Sequence, residues 1–249
     1  MHTALILGES HTGKTRSLST LPGTTVLFNF DMPDNVTSLR VPYREVLRLK
    51  DFWNTGEVMP SFMVVQYTLV AREISLGATP DPSSAKMRAF IEDVNSLASH
   101  LTQVDNLVLE TLQPFADEML NFIVASNGRR DTQIQDYKVA RDKLQQVFGS
   151  LMGTGKNVIL TGHLQSEKDE ITGRGKVNPM VWGKDLPGSI PKMFGEVFQS
   201  LAQVTPQGVK YVWQTKPDQF MTFLGSRKAD NLPKFMDQDF GYLARVSTT

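Results

Sequence analysis

The chain has 249 residues, with 26 Lys+Arg balanced by 26 Asp+Glu, 40% hydrophobic and 21% charged residues. This is globular composition, long enough for a substantial core, and it excludes a disordered chain. The absence of cysteine excludes disulfides, thiolate-held zinc, iron–sulfur clusters and a thiol nucleophile, while zero net charge argues against gripping nucleic acid by overall basicity but leaves room for a local patch.

Met1-His2-Thr3 carries no basic region and Gly8 stops the apolar run Ala4–Leu7, so no secretory signal is expected. No window approaches the roughly 18 apolar residues of a membrane span. A cytoplasmic protein is therefore expected, with no membrane partner. Thr3–Leu7 and Thr24–Phe30 read as buried strands bounded by Gly8 and Pro22-Gly23, with a short helix over about 14–20 between them. Ser61–Tyr67 is a further strand candidate, and Pro80, Pro82 and two serines mark a loop. Ser83–Leu101 follows as an amphipathic helix, with Met87, Phe90, Ile91, Val94 and Leu97 on one face. Asn106–Leu109 and Asn157–Gly162 are buried strands flanking an amphipathic helix over Gln133–Leu151. Glu196–Val204, Gly208–Thr215 and Phe220–Leu224 read as shorter, alternating and antiparallel strands. The expectation is one α/β domain over 1–249, with a mainly parallel sheet covered on both faces and an antiparallel edge meander at about 196–226. Residues 40–82 fit this pattern worst and are read as a peripheral insertion.

Gly8, Glu9, Ser10, His11, Thr12, Gly13, Lys14 and Thr15, continued by Arg16, match G-x-x-x-x-G-K-[ST] between a strand and a helix. The glycines let the backbone curl so that its N–H groups face phosphate oxygens. Lys14 would reach the β- and γ-phosphates and the Thr15 hydroxyl would bind Mg²⁺, making ATP and Mg²⁺ the expected cofactors. The plain alternative is a glycine turn beside a surface lysine.

Such a loop needs a carboxylate at the end of a neighbouring strand to hold the metal shell. Glu110 ends the strand Asn106–Leu109 and fits, although aspartate is usual and glutamate is one methylene longer; a simple helix cap is the other reading. Water must also be oriented. Asp31, ending the second strand, is the candidate, with Asp34 as its competitor, and strand termination before Pro33 is the alternative. His163, after the strand Val158–Leu160, either senses the γ-phosphate or is structural. His2, His11 and His100 show no ligand spacing, so no metal beyond Mg²⁺ is assigned.

The stretches GESHTGKT, FNFDMPD, DNLVLETL, the long run from QDYKVARDKL through NVILTGHLQ to PKMFGEVF, and QTKPDQFMTFLGSRKADNLP together resemble the phage-encoded, minimal RecA/RadA-like ATPases of the Sak single-strand-annealing recombinase type. The resemblance covers most of the chain outside 40–82, and the long fourth stretch is its specific part. It implies a RecA-like P-loop core, ATP hydrolysis and recombination or annealing on single-stranded DNA in an infected bacterial host. It also implies Asp31 in the water-activating, Glu110 in the metal and His163 in the γ-phosphate-sensing position. Asn29 stands for the family's first acid and Glu110-Thr111 for its Asp-Ser, departures that bear on catalytic rate more than on nucleotide binding.

In RecA-like proteins DNA contacts loops after central strands. Ser126–Gln133, with Arg129 and Arg130, and Ser166–Gly183, with Lys168, Arg174 and Lys176, are the corresponding segments. Residues 166–184 carry four basic and three acidic side chains, so a solvated loop is the equal alternative. Arg227, beside Lys228, is either a cation completing a neighbouring subunit's site or a surface residue. A homo-oligomer, ring or filament, is the expected assembly, with a phage or host single-strand-binding protein as a further partner. Two other functions compete: a nucleotide-dependent interaction module or loader of a replication protein, and a small-molecule kinase, for which the mixed-charge 166–183 segment makes a poor lid.

Overall fold

The apolar runs TALIL, TVLFN, NLVLE and NVILTG have no polar face and so must be covered on both sides, which makes them interior strands. A computed structural model describes residues 3–68, 82–168, 175–227 and 231–246. In chain order the elements begin with β1 (Thr3–Leu7), α1 (Lys14–Ser17), β2 (Thr25–Asn29), β3 (Arg44–Val46), α2 (Leu49–Trp53), β4 (Phe62–Gln66) and α3 (Pro82–Leu97). They continue with β5 (Asn106–Glu110), α4 (Leu112–Ser126), α5 (Ile134–Gly153), β6 (Asn157–Gly162), β7 (Leu164–Lys168), β8 (Gly175–Pro179) and α6 (Leu186–Ser189). The last are β9 (Glu196–Thr205), β10 (Gly208–Gln214), β11 (Gly225–Ser226), β12 (Phe235–Asp237) and α7 (Phe240–Val246).

Among the described residues, one sheet runs β12-β10-β9-β1-β6-β5-β2-β4-β3, with β11 paired to β9. From β9 to β3 neighbouring strands are parallel, and β10, β11 and β12 are antiparallel additions. This is the expected α/β architecture with an antiparallel edge. Leu5, Phe28, Leu107, Leu109 and Leu160 point to one face, where α3, α4 and α5 supply Phe90, Phe115 and Phe148. Ile6, Leu27, Val108 and Ile159 point to the other, against Leu18, Trp213 and Phe240. Alternate residues of each strand thus bury into two separate cores. Among the described residues no helix is long and apolar enough to cross a membrane.

Four expectations change. Part of the segment read as a peripheral insertion over 40–82 belongs to the sheet: β4 is buried along its whole length between β2 and the edge strand β3. Pro82 opens α3, whereas the loop around Pro80 lies outside the described residues. Phe220–Leu224 is not a strand. Asp218 Oδ1 accepts the N–H groups of both Phe220 and Met221, each at 2.8 Å, which removes them from any ladder. Met221 and Leu224 are the buried members, a spacing of three rather than two, and pairing resumes only at β11.

Within Ser166–Gly183, expected as a loop, the described residues 166–168 and 175–179 belong to a pair of antiparallel strands. Here β7 and β8 pair from Leu164↔Pro179 to Lys168↔Gly175.

Candidate functional site

Register decides which residues meet. Leu7 lies beside Gly162, Leu109 beside Leu160 and Glu110 beside Asn29. The carboxyl ends of β1, β6, β5 and β2 therefore finish level, and the residues that follow them gather at one edge of the sheet. Ser10–Arg16, Asp31, Asp34, Arg40, Glu110 and His163 line a single cavity there, of about 500 Å³.

The loop after β1 is held from below and from the side. Gly8 N–H donates to Gly162 O at 3.1 Å, and Thr12 Oγ1 donates to Glu9 O at 2.8 Å. His11 and Gly13 have positive φ, 62° and 89°, the left-handed conformation that glycine adopts without steric cost. A Cβ on Gly8 would meet Ser200 O at 2.6 Å, and one on Gly13 would meet Tyr211 Cδ1 and Gln238 Oε1 at 2.7 Å. Both glycines are thus required by close neighbours as well as by the curl. Ser200 Oγ and Gln238 Nε2 donate to Thr12 O at 2.8 and 3.0 Å, clamping the loop from β9 and from the residue after β12.

Lys14 is buried, and its ammonium donates to Gly8 O at 2.9 Å and Glu9 O at 2.7 Å. Burial pushes its pKa down, opposed by Glu110, Glu9 and Asp31. The Thr15 hydroxyl donates to Glu110 Oε1. Glu110 is only 3% exposed, and its Oε2 is buried with no hydrogen-bond partner. Burial raises its carboxyl to about 7, against the opposing pull of the Thr15 hydrogen bond and Lys14. Glu110 is therefore no simple helix cap, because the donor it meets belongs to the loop.

Asn29 explains how Asp31 is presented. Fully buried, it donates Nδ2 to Gln66 Oε1 at 2.7 Å and accepts the Asp31 N–H on Oδ1 at 3.1 Å. A carboxylate could not make the first bond. The half-buried Asp31 keeps its carboxylate at the cavity wall, where Oδ1 accepts the Met32 N–H at 2.8 Å. His163 also lines the cavity, and its pKa is lowered by burial first and then by the Lys14 charge, so the ring is neutral at pH 7.

Lys14, Thr15, Asp31, Glu110 and His163 thus meet. Arg227 does not join them in the same chain. Its neighbour Ser226 pairs with Glu196, level with Ala4 near the start of β1, while the loop follows the other end. Its guanidinium donates to Lys192 O at 2.8 Å. Arg129 pairs with the buried Asp136, whose Oδ2 caps α5 through the Gln133 N–H at 2.8 Å, so this cation has a structural partner in its own chain. Arg130 and Lys176 are exposed. Lys168 closes the hairpin register, and Arg174 lies outside the described residues. Tyr137 of α5 packs edge-on against Trp182, three residues past β8, with ring centres 5.4 Å apart.

Sequence reasoning missed Ser200, Tyr211 and Gln238. None stands in a motif; only the pairing of β9, β10 and β12 at the sheet edge brings them to the loop. The alternating pattern of 196–215 signalled the hairpin but not its contact with the loop.

The Mg²⁺ reading can be tested on the donors themselves. Thr15 Oγ1 and the Glu110 carboxylate are hard oxygen ligands already in contact, and an orphaned carboxylate oxygen sits beside them. They suit Mg²⁺, which takes one or two protein oxygens and completes its shell with phosphate and water. Among the described residues no three His, Asp or Glu side chains could hold a metal alone.

A family model described as an AAA domain matches residues 2–222. No curated protein matches the chain. Among solved structures, the chain is similar to the KaiC-like protein PH0186 from the hyperthermophilic archaeon Pyrococcus horikoshii OT3. The two share 13% identity and a TM-score of 0.41, over 85% of this chain and 77% of that one.

Proposed function

Since the chain belongs to the AAA domain family and carries a P-loop NTPase site, we propose that it hydrolyses ATP with Mg²⁺ and acts on single-stranded DNA in recombination or annealing. One observation carries the nucleotide part: Lys14, Thr15, Glu110, Asp31 and His163, scattered over 150 positions of sequence, line one cavity of about 500 Å³ at the level strand ends. The loop N–H groups and Lys14 bind the triphosphate, the ammonium exchanging its carbonyl acceptors for phosphate oxygens. Thr15 and Glu110 hold the metal, which when bound neutralises charge on the phosphates. Asp31 orients the attacking water, whose oxygen bonds to the γ-phosphorus as the bond to the ADP oxygen breaks. The neutral His163 lies against the same cavity and passes its state to the hairpin, since its own carbonyl accepts the Met180 N–H at 2.8 Å.

The DNA part is supported by the family resemblance and by the exposure of Arg130 and Lys176 in the two basic segments. Assembly into a ring or filament multiplies such weak contacts, and Arg227, outside its own chain's cavity, is then available to a neighbour. Work alongside a phage or host single-strand-binding protein follows from the same reading. A second reading, a nucleotide-dependent interaction module or loader, is favoured by Glu110, a methylene longer than the usual aspartate, and by the near-balanced charge of residues 166–184.

The test is steady-state ATP hydrolysis with and without single-stranded DNA, in the wild type and Lys14→Ala. The proposal expects DNA stimulation, and a loss of about a hundredfold or more in the variant. Equal background rates in both proteins would favour the module.

A further inference from the structure

A loop whose N–H groups face phosphate must turn its carbonyl groups the other way, because a peptide that aims its N–H in one direction aims its oxygen in the opposite one. Those oxygens need donors of their own. Gly8 O and Glu9 O take theirs from Lys14. Thr12 O takes two from outside the loop, Ser200 Oγ at 2.8 Å and Gln238 Nε2 at 3.0 Å. The Thr12 carbonyl and the Gly13 N–H share one planar peptide. Gly13 lines the phosphate cavity, whereas Ser200 and Gln238 do not. Holding the oxygen at the sheet edge therefore turns the Gly13 N–H away from that edge.

The Gln238 amide has one workable orientation. Thr12 O and Val212 O, at 3.0 and 3.1 Å, can only accept, so the nitrogen must face them. The same nitrogen donates to Ser200 Oγ at 2.7 Å. Oε1 is then left buried with no partner, so close to Gly13 that a Cβ there would meet it at 2.7 Å. A glutamine retained for stability alone would have both ends of its amide satisfied. Here only the donating end is engaged, and it is engaged on the loop. Gln238 follows β12, whose Asp237 pairs with Val212, and it stands beyond residues 2–222, which the family model matches.

We propose that Gln238 is a positioning residue of the phosphate loop, acting through the Thr12 peptide to aim the Gly13 N–H at the phosphates, with Ser200 as the second donor. The proposal rests on the nucleotide reading above and adds what holds its loop in the binding shape. Ground state and transition state use the same N–H, so its misplacement weakens binding rather than turnover.

The experiment measures steady-state hydrolysis of MgATP, and calorimetric binding of MgATP and of inorganic tripolyphosphate with Mg²⁺, in the wild type, Gln238→Met and Lys210→Ala. Methionine keeps the length of the side chain and removes the amide. Gln238→Met is expected to raise KM about tenfold with kcat within about twofold, and to weaken tripolyphosphate by the same factor as ATP. Lys210→Ala breaks the ion pair to Asp237 on the same edge and should leave these values as in the wild type. A merely structural glutamine gives a different result: active protein is lost, so apparent kcat falls and KM stays. That result overturns the proposal. So do an unchanged tripolyphosphate affinity, a kcat that falls further than KM rises, or a Lys210→Ala variant that reproduces the loss. Where Gln238→Met does not fold, Gln238→Glu takes its place with the same expected shifts, since its carboxylate has the same length but no hydrogen to give Thr12 O. Where the wild type binds without hydrolysing, the two titrations decide. Wild-type protein that binds neither ATP nor tripolyphosphate overturns the nucleotide reading, and the proposal with it.

Discussion

Two buried carboxylates, Glu110 at the end of β5 and Asp136 in the first turn of α5, are shifted in opposite directions. Asp136 has both oxygens engaged, Oδ1 by Arg129 and Oδ2 by the Gln133 N–H, and its pKa is lowered, with the Arg129 hydrogen bond as the main cause. Glu110 has one oxygen on the Thr15 hydroxyl and the other without a partner, and burial lifts it to about 7. A carboxylate that serves the fold is neutralised by the fold. Glu110 is left short of partners, as the proposed metal role would require, and the chain bears that cost in stability.

The largest effect should come from removing the unsatisfied charge. Glu110 is protonated in the folded chain up to about pH 7, whereas the unfolded carboxyl ionises near its ordinary value of 4.5. Its contribution to stability is complete below that ordinary value and is lost as pH rises through 7. Glu110→Gln should therefore raise the melting temperature of nucleotide-free protein above pH 7, by up to about 3 kcal/mol in stability. Hydrolysis should fall about a hundredfold. Melts from pH 5 to 8 beside an ATPase assay check both; a variant that keeps the wild-type pH slope would break the comparison. Next in size is Arg129→Ala. It leaves Asp136 buried without its cation, so the melting temperature should drop by several degrees with single-strand affinity unchanged. Loss of DNA binding without loss of stability would return Arg129 to the phosphate-binding role. The smallest effect belongs to the exposed cations. Arg130→Ala and Lys176→Ala should leave melting unchanged and weaken single-strand binding a few-fold at low salt. Each should reduce the slope of log affinity against log salt by about one, measured by fluorescence anisotropy.

The site was legible where chemistry demands contiguity. The phosphate loop must be one unbroken turn, so its eight residues stand together, and Asp31, Glu110 and His163 could be named because each ends an apolar run, where a parallel sheet collects its functional groups. The clamp was illegible because Thr12, Ser200 and Gln238 meet only through strand pairing at the far edge. The Arg129 ion pair was illegible because a cation in a turn looks free until the capping residue of the next helix is seen beside it. Phe220–Leu224 was misread because Asp218 takes the N–H groups that a strand would need.

By itself the sequence determined the α/β class, the phosphate loop and the strands that carry its partners, since periodicity and glycine spacing are local consequences of steric and solvation rules. Tertiary structure decided the order of strands, the place of β4 inside the sheet and the antiparallel pairing of β7 with β8. It also decided which charges are spent and which are kept. Those depend on register and burial, and a carboxyl group acquires a pKa of about 7 only when other parts of the chain have removed its water.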